Sequence, residues 1–169
     1  MRPILIGYRG SGKTTVGRLL AERLGCGWVD TDAIIEQDAG RTVVELFEDE
    51  GEALFRDREG DALREALQMP ETIISLGGGA VTFEPSREML KLSDRPRVYL
   101  QCTVEELARR IETDTFKRPA LHGTDAASEV ATVLEQRLHL YDAVATHTID
   151  VTHHTPEHIV TQIERLLRQ

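Results

Sequence analysis

The chain has 169 residues, 40% of them apolar and 29% charged, with a formal net charge of −9. That length suits one domain with its own core, no apolar run approaches a membrane span, and the acidic balance argues against a general nucleic-acid or membrane-surface binder. Two cysteines, Cys26 and Cys102, make no disulfide framework and no CxxC site, and the opening MRPILIGYRG reaches glycine too soon for a signal peptide's apolar region, so a reduced, cytoplasmic protein is expected.

Residues 3–8, PILIGY, read as a short buried strand. A helix follows over 13–24, with Val16, Leu19, Leu20 and Leu24 on one face and Gly25 at its end. GWVD (27–30) reads as a second strand. Short helices are expected over 32–39 and 43–49, the latter opened by Thr42 and Glu45 in capping-box spacing. A longer helix over 52–68 carries Phe55, Ala62, Leu63, Ala66 and Leu67 on its apolar face. TIISL (72–76) and RVYLQ (97–101) read as strands with a helix near 85–92 between them, and Thr103 with Glu106 caps a helix through about 112. Residues 113–124, TDTFKRPALHGT, have no clean period and read as a loop or lid. A helix over 126–140, a strand over 146–151 and a helix over 156–168, with Thr155 and Pro156 as N-cap and first turn, complete the chain. Strands alternating with helices imply a parallel sheet covered on both faces, in which ligands gather at the carboxyl ends of the strands.

The strongest motif, Gly7-Tyr8-Arg9-Gly10-Ser11-Gly12-Lys13-Thr14-Thr15, matches G-x-x-x-x-G-K-[ST] between a strand and a helix. Its glycines let successive N–H groups curl around phosphate oxygens, and the helix N-terminus adds partial positive charge. Lys13 is placed to reach the β- and γ-phosphates of ATP, and the Thr14 hydroxyl to ligate Mg²⁺. The sequence contains no asparagine, which excludes the guanine-reading N-K-x-D motif. The chain is short for a motor domain, and no apolar strand ends in a DE catalytic pair. A small-molecule kinase is the reading that remains.

Asp30-Thr31-Asp32 ends the second strand. Two uses are open for Asp32: accepting the proton of an attacking hydroxyl while its neighbour serves Mg²⁺, or capping the helix that begins at Ala33. Arg56, Arg58 and Arg137 each offer a planar fork suited to a carboxylate, and periodicity prefers none of them. A third strand running into Gly77-Gly78-Gly79 puts bare backbone where other nucleotide hydrolases carry an acidic metal ligand.

In order and spacing, GYRGSGKTTVG, DTD, FRDRE, LGGGAV, KRP and RLHLY resemble the shikimate kinases over nearly the whole chain. The resemblance implies an α/β P-loop fold related to nucleoside monophosphate kinases: a three-layer α/β/α arrangement around a five-stranded parallel sheet in order 2-3-1-4-5, with substrate-binding helices near 31–62 and a lid near 112–125. It implies transfer of the ATP γ-phosphoryl to the 3-hydroxyl of shikimate, with Mg²⁺, by a single domain expected to be monomeric. Asp32 then orients and deprotonates the acceptor, Asp30 joins Thr14 at the metal, and Arg56 and Arg137 clamp the substrate carboxylate. Gly78 offers its backbone to a substrate hydroxyl. Gly10, Ser11, Gly12, Lys13, Thr14 and Thr15 bind ATP, Arg118 reaches its phosphates from the lid, and Arg110 lies against adenine. The glycines at 77–79 are expected to leave room for the substrate, since a Cβ would occupy its space.

Two departures stand out. His139 replaces a common proline two residues after Arg137, and His154 stands where many members carry an arginine at the nucleotide edge, which makes adenine binding open to pH. His154 and His158 have i,i+4 metal spacing without an evident third ligand, so an exposed pair is expected, and Trp28 is expected in packing. Another polyol or nucleotide kinase, or a nucleotide-sensing module, would keep the P-loop, but neither requires DTD, Arg56 and Arg137 together.

Overall fold

The structure, a computed structural model, describes residues 1–113 and 126–168. Five parallel strands form one sheet, β1 (Ile4–Ile6), β2 (Gly27–Asp30), β3 (Thr72–Ser75), β4 (Arg97–Gln101) and β5 (His147–Asp150), in the order β2-β3-β1-β4-β5. The expected topology is therefore the one found. β1 lies in the middle and is wholly buried. Its register pairs Ile4 with Ile74 on one side and with Arg97 on the other. That register brings the ends of β1 and β3, hence the glycine-rich loops after them, side by side.

The helices are α1 (Lys13–Leu24), α2 (Thr31–Ala39), α3 (Val43–Leu67), α4 (Glu84–Leu92), α5 (Val104–Thr113), α6 (Ala126–Val144) and α7 (Pro156–Leu166). The helices expected over 43–49 and 52–68 form one run, α3, kinked at Gly51, whose φ of 81° and ψ of 170° are not helical. Arg58 braces the kink through two hydrogen bonds to Glu50, at 2.7 and 2.8 Å. The Thr42–Glu45 capping box is present, as is the Thr155 cap followed by Pro156. α6 continues past His139 to Val144, four residues beyond the expected end, because Tyr141 and Val144 are core residues and their burial extends the helix. α5 runs through Thr113, and the rest of the expected lid, 114–125, lies outside the described residues. Among the described residues no helix is long and apolar enough to cross a membrane.

Candidate active site

The P-loop leaves β1 and enters α1 through Gly12, at φ 94° and ψ 11°, a left-handed conformation that suits glycine. Lys13 is buried, with Nζ donating to the Gly7 and Tyr8 carbonyls at 2.8 and 2.9 Å. The ammonium thus lies over the curl of its own loop. Gly10, Ser11, Gly12, Lys13, Thr14 and Thr15 all line a cavity of about 1560 Å³. Arg110 and His154 line the same cavity. Arg110 ties its far wall together, donating to Glu106 at 2.7 Å and to the Val151 carbonyl at 3.0 Å. Two arginines hold the Glu106 carboxyl down at about 2, Arg109 first and then Arg110. His154 and His158 are exposed and stack on each other at 4.7 Å, and among the described residues no three His, Cys, Asp or Glu side chains cluster as a metal cage. Trp28 is half-buried. It packs as expected and donates to Ser75 Oγ at 2.9 Å, and it also lines this cavity.

The helix-capping alternative for the DTD motif is resolved in favour of the other aspartate. Asp30 caps α2, accepting from the Asp32 N–H at 3.1 Å, because the helix begins at Thr31. Thr31 turns inward and accepts from the Gly77 N–H at 2.8 Å, which fastens DTD to the triple glycine. The other Asp30 oxygen accepts from the Thr14 hydroxyl at 2.8 Å. Burial, and then the charge of Asp32, push the Asp30 carboxyl up. Two carboxylates crowded beside a hydroxyl, one of them poorly solvated, form an oxygen-rich corner suited to a hard cation.

A second cavity of about 420 Å³ opens on the other side of the DTD motif, lined by Phe47, Phe55, Arg56, Glu59 and Arg137 among others. Arg9, Asp32 and Gly78 line both cavities. Among the three candidate arginines, Arg58 is committed to Glu50, while Arg56 and Arg137 face this smaller cavity. Arg56 is 9% exposed and pairs with Glu52 at 2.9 Å and Glu59 at 2.5 Å. Burial alone would push its guanidinium down, but these carboxylates hold it above its ordinary value.

Sequence reasoning missed Glu59, although it lies i,i+3 from Arg56. Burial pushes its carboxyl up to about 7 against the opposing pull of Arg56. Arg9 was missed as well. Its guanidinium meets the fully buried Glu129 side chain at 2.7 Å, and its Nε is buried with no partner among the described residues.

The chain's own atoms crowd the triple glycine. Gly79 sits at φ −94° and ψ −14°, open to any residue, and neither Gly77 nor Gly78 has positive φ. Space decides, and the chain's own atoms fill it. A Cβ on Gly77 would come within 2.7 Å of Asp32 Oδ1 and 2.8 Å of Glu59 Oε1, one on Gly78 within 3.0 Å of the Arg9 backbone N, and one on Gly79 within 2.8 Å of Arg56 Cζ. The glycines let Asp32, Arg56 and Glu59 and the P-loop backbone pack closely around this turn.

A phosphate cradle, an acidic junction and a small pocket with two arginines define a P-loop kinase for a small anionic acceptor. The shikimate kinase family model matches residues 9–168. The shikimate kinase of Thermobifida fusca (strain YX) is 42% identical over 164 residues, 97% of this chain and 93% of that protein. The solved shikimate kinase from Acinetobacter baumannii in complex with shikimate superposes with a TM-score of 0.91 at 37% identity, covering 98% of this chain and 92% of that one. The one from Bacteroides thetaiotaomicron gives 0.92 at 31%, covering 100% and 99%. The chain belongs to the shikimate kinase family and is an ATP-dependent kinase.

Proposed function

We propose that this chain carries the γ-phosphoryl group of ATP to the 3-hydroxyl of shikimate with Asp32 at the point of transfer. The observation that carries this reading is the position of Asp32, on the wall shared by the P-loop cavity and the cavity holding Arg56 and Arg137. A carboxylate there can accept a proton from an acceptor hydroxyl bound on one side while the hydroxyl faces a phosphate bound on the other. Arg56 and Arg137 bind the ring carboxylate, and Gly78 meets a ring hydroxyl through its backbone. Lys13, with the N–H groups of Gly10, Ser11, Gly12 and Thr15, holds the phosphates. Arg110 and His154 border the base, and Arg118, outside the described residues, completes the phosphate site. Thr14 and Asp30 hold Mg²⁺, which when bound neutralises phosphate charge. Work as a monomer in the cytoplasm belongs to the same proposal. A coupled assay with shikimate, run beside gluconate and nucleoside monophosphates, tests it. ADP production with shikimate alone is expected, and equal turnover of the others overturns the assignment.

Glu59 makes acceptor binding depend on pH. An ionised Glu59 competes for Arg56 and repels an incoming carboxylate, so an anionic substrate favours the protonated form. Because the carboxyl titrates near 7, affinity is greatest below that pH and declines as pH rises through it, with a slope of at most about tenfold per unit for one coupled proton. Folding stability follows the same sign: the raised carboxyl binds its proton more tightly in the folded state, so stability falls as pH rises from its ordinary 4.5 towards 7. The KM for shikimate is expected to rise severalfold between pH 6 and 8, and Glu59→Gln to flatten that profile. Parallel profiles for the two proteins would remove Glu59 from the account.

A further inference from the structure

We infer that Tyr141 is a positioning residue for the acceptor side of the site: its phenol fixes the peptide between Gly78 and Gly79 while the same helix face presents Arg137. This rests on the shikimate-binding reading above. The carbonyls of the triple glycine are held in two ways. Gly77 O accepts from the Ala80 N–H at 3.2 Å, and Gly79 O from the Thr82 N–H and hydroxyl at 2.9 and 2.8 Å, all within the turn over Ala80–Thr82. Gly78 O instead accepts from the Tyr141 hydroxyl at 2.7 Å, across 63 positions of sequence. A trans peptide sets its C=O and N–H in opposite directions, and the described residues contain no cis peptide. Holding Gly78 O towards α6 therefore fixes the direction of the Gly79 N–H beside Arg56.

Tyr141 also governs α6. It lies one turn after Arg137, so the two side chains share a helix face. Its ring is buried and stacks on Tyr99 of β4 with centroids 4.9 Å apart. The Arg137 guanidinium lies near the same phenol and 5.9 Å from the Tyr8 ring in the P-loop. One hydroxyl thereby connects the helix that carries a substrate arginine to the backbone that borders both cavities. Burial pushes this phenol up, so it remains a donor across the working pH range. The ring alone would fill the core, and the hydroxyl is what reaches the site.

Tyr141→Phe keeps the stack and deletes that single donor. Tyr99→Phe is the matched control, since it removes a buried hydroxyl from the same pair without touching Gly78. For Tyr141→Phe we expect a KM for shikimate about tenfold higher, equivalent to about 1.4 kcal/mol, an ATP KM within twofold and a circular dichroism spectrum like the wild type. Tyr99→Phe is expected to leave both constants in place. Titration calorimetry with shikimate and ADP should show the same loss in Tyr141→Phe. An unchanged shikimate KM, or an equal rise for both substrates, overturns the inference. Failure of the wild-type protein to bind shikimate instead overturns the function on which it rests.

Discussion

Asp32→Asn should bind ATP with its dissociation constant changed by less than a few-fold, yet transfer phosphate about 10²- to 10⁴-fold more slowly, the range a single positioned base contributes. The substitution keeps the shape of the side chain and its ability to accept a hydrogen bond. It removes the capacity to take up a proton, so an acceptor hydroxyl can still be aligned but not relieved of its proton. The nucleotide should be almost indifferent, because the proposed function places its phosphates at the P-loop and Lys13, away from this change. Asp30 responds in a predictable direction. The Asp32 charge is one of the two causes that raise its carboxyl, and deleting it leaves Asp30 more readily ionised, which sustains cation binding. Single-turnover measurement with saturating shikimate and Mg²⁺–ATP separates the chemical step from binding. A variant that transfers at the wild-type rate would show that Asp32 does not deprotonate the acceptor.

Much of this arrangement is legible in the residues, and the illegible part has a common cause. The P-loop could be read because its chemistry is local: phosphate binding needs a particular run of backbone conformations between a strand and a helix, and both are encoded within fifteen residues. Thr42 with Glu45, and Thr155 with Pro156, could be read for the same reason. The choice between Arg56 and Arg58 could not be made from helical periodicity, since it depends on Glu50 reaching across the Gly51 kink to occupy Arg58. The aspartate that caps α2 turned on whether the helix starts at Thr31 or Ala33, a two-residue boundary that lies where Thr31 Oγ1 accepts from the Gly77 N–H. Glu59 escaped notice because a glutamate on a helix is ordinarily solvated, and only tertiary packing buries this one. The Arg9–Glu129 pair and the Tyr141–Gly78 bond span 120 and 63 positions. No spacing rule reaches that far. The family resemblance names candidate site residues without giving the contacts around them, as the triple glycine illustrates.

Gly79→Ala should bring that distinction into the open by leaving the fold and damaging the acceptor site. Alanine is comfortable at φ −94° and ψ −14°, and glycine-to-alanine changes at compatible dihedrals stabilise by about 0.4–1 kcal/mol through the unfolded chain. The added methyl instead falls on the Arg56 guanidinium, 2.8 Å from Cζ and 2.9 Å from Nη2. That group ends a flexible side chain and can swing away, at the cost of its buried bond to Glu59. Glu59 can take up a proton in response, since its carboxyl already titrates near 7, so the thermal midpoint should fall by only a few degrees. The lost arginine contact should raise the KM for shikimate by about 10²-fold, within the 2–5 kcal/mol typical of a disrupted buried charge pair at a binding surface, with the ATP KM unchanged. Gly78→Ala provides the contrast, because its methyl would lie 3.0 Å from the Arg9 backbone N. Backbone cannot swing aside, so the P-loop itself must shift and the constants for both substrates should deteriorate. A Gly79→Ala enzyme with a normal shikimate KM would mean that Arg56 does not hold the acceptor where the pocket places it.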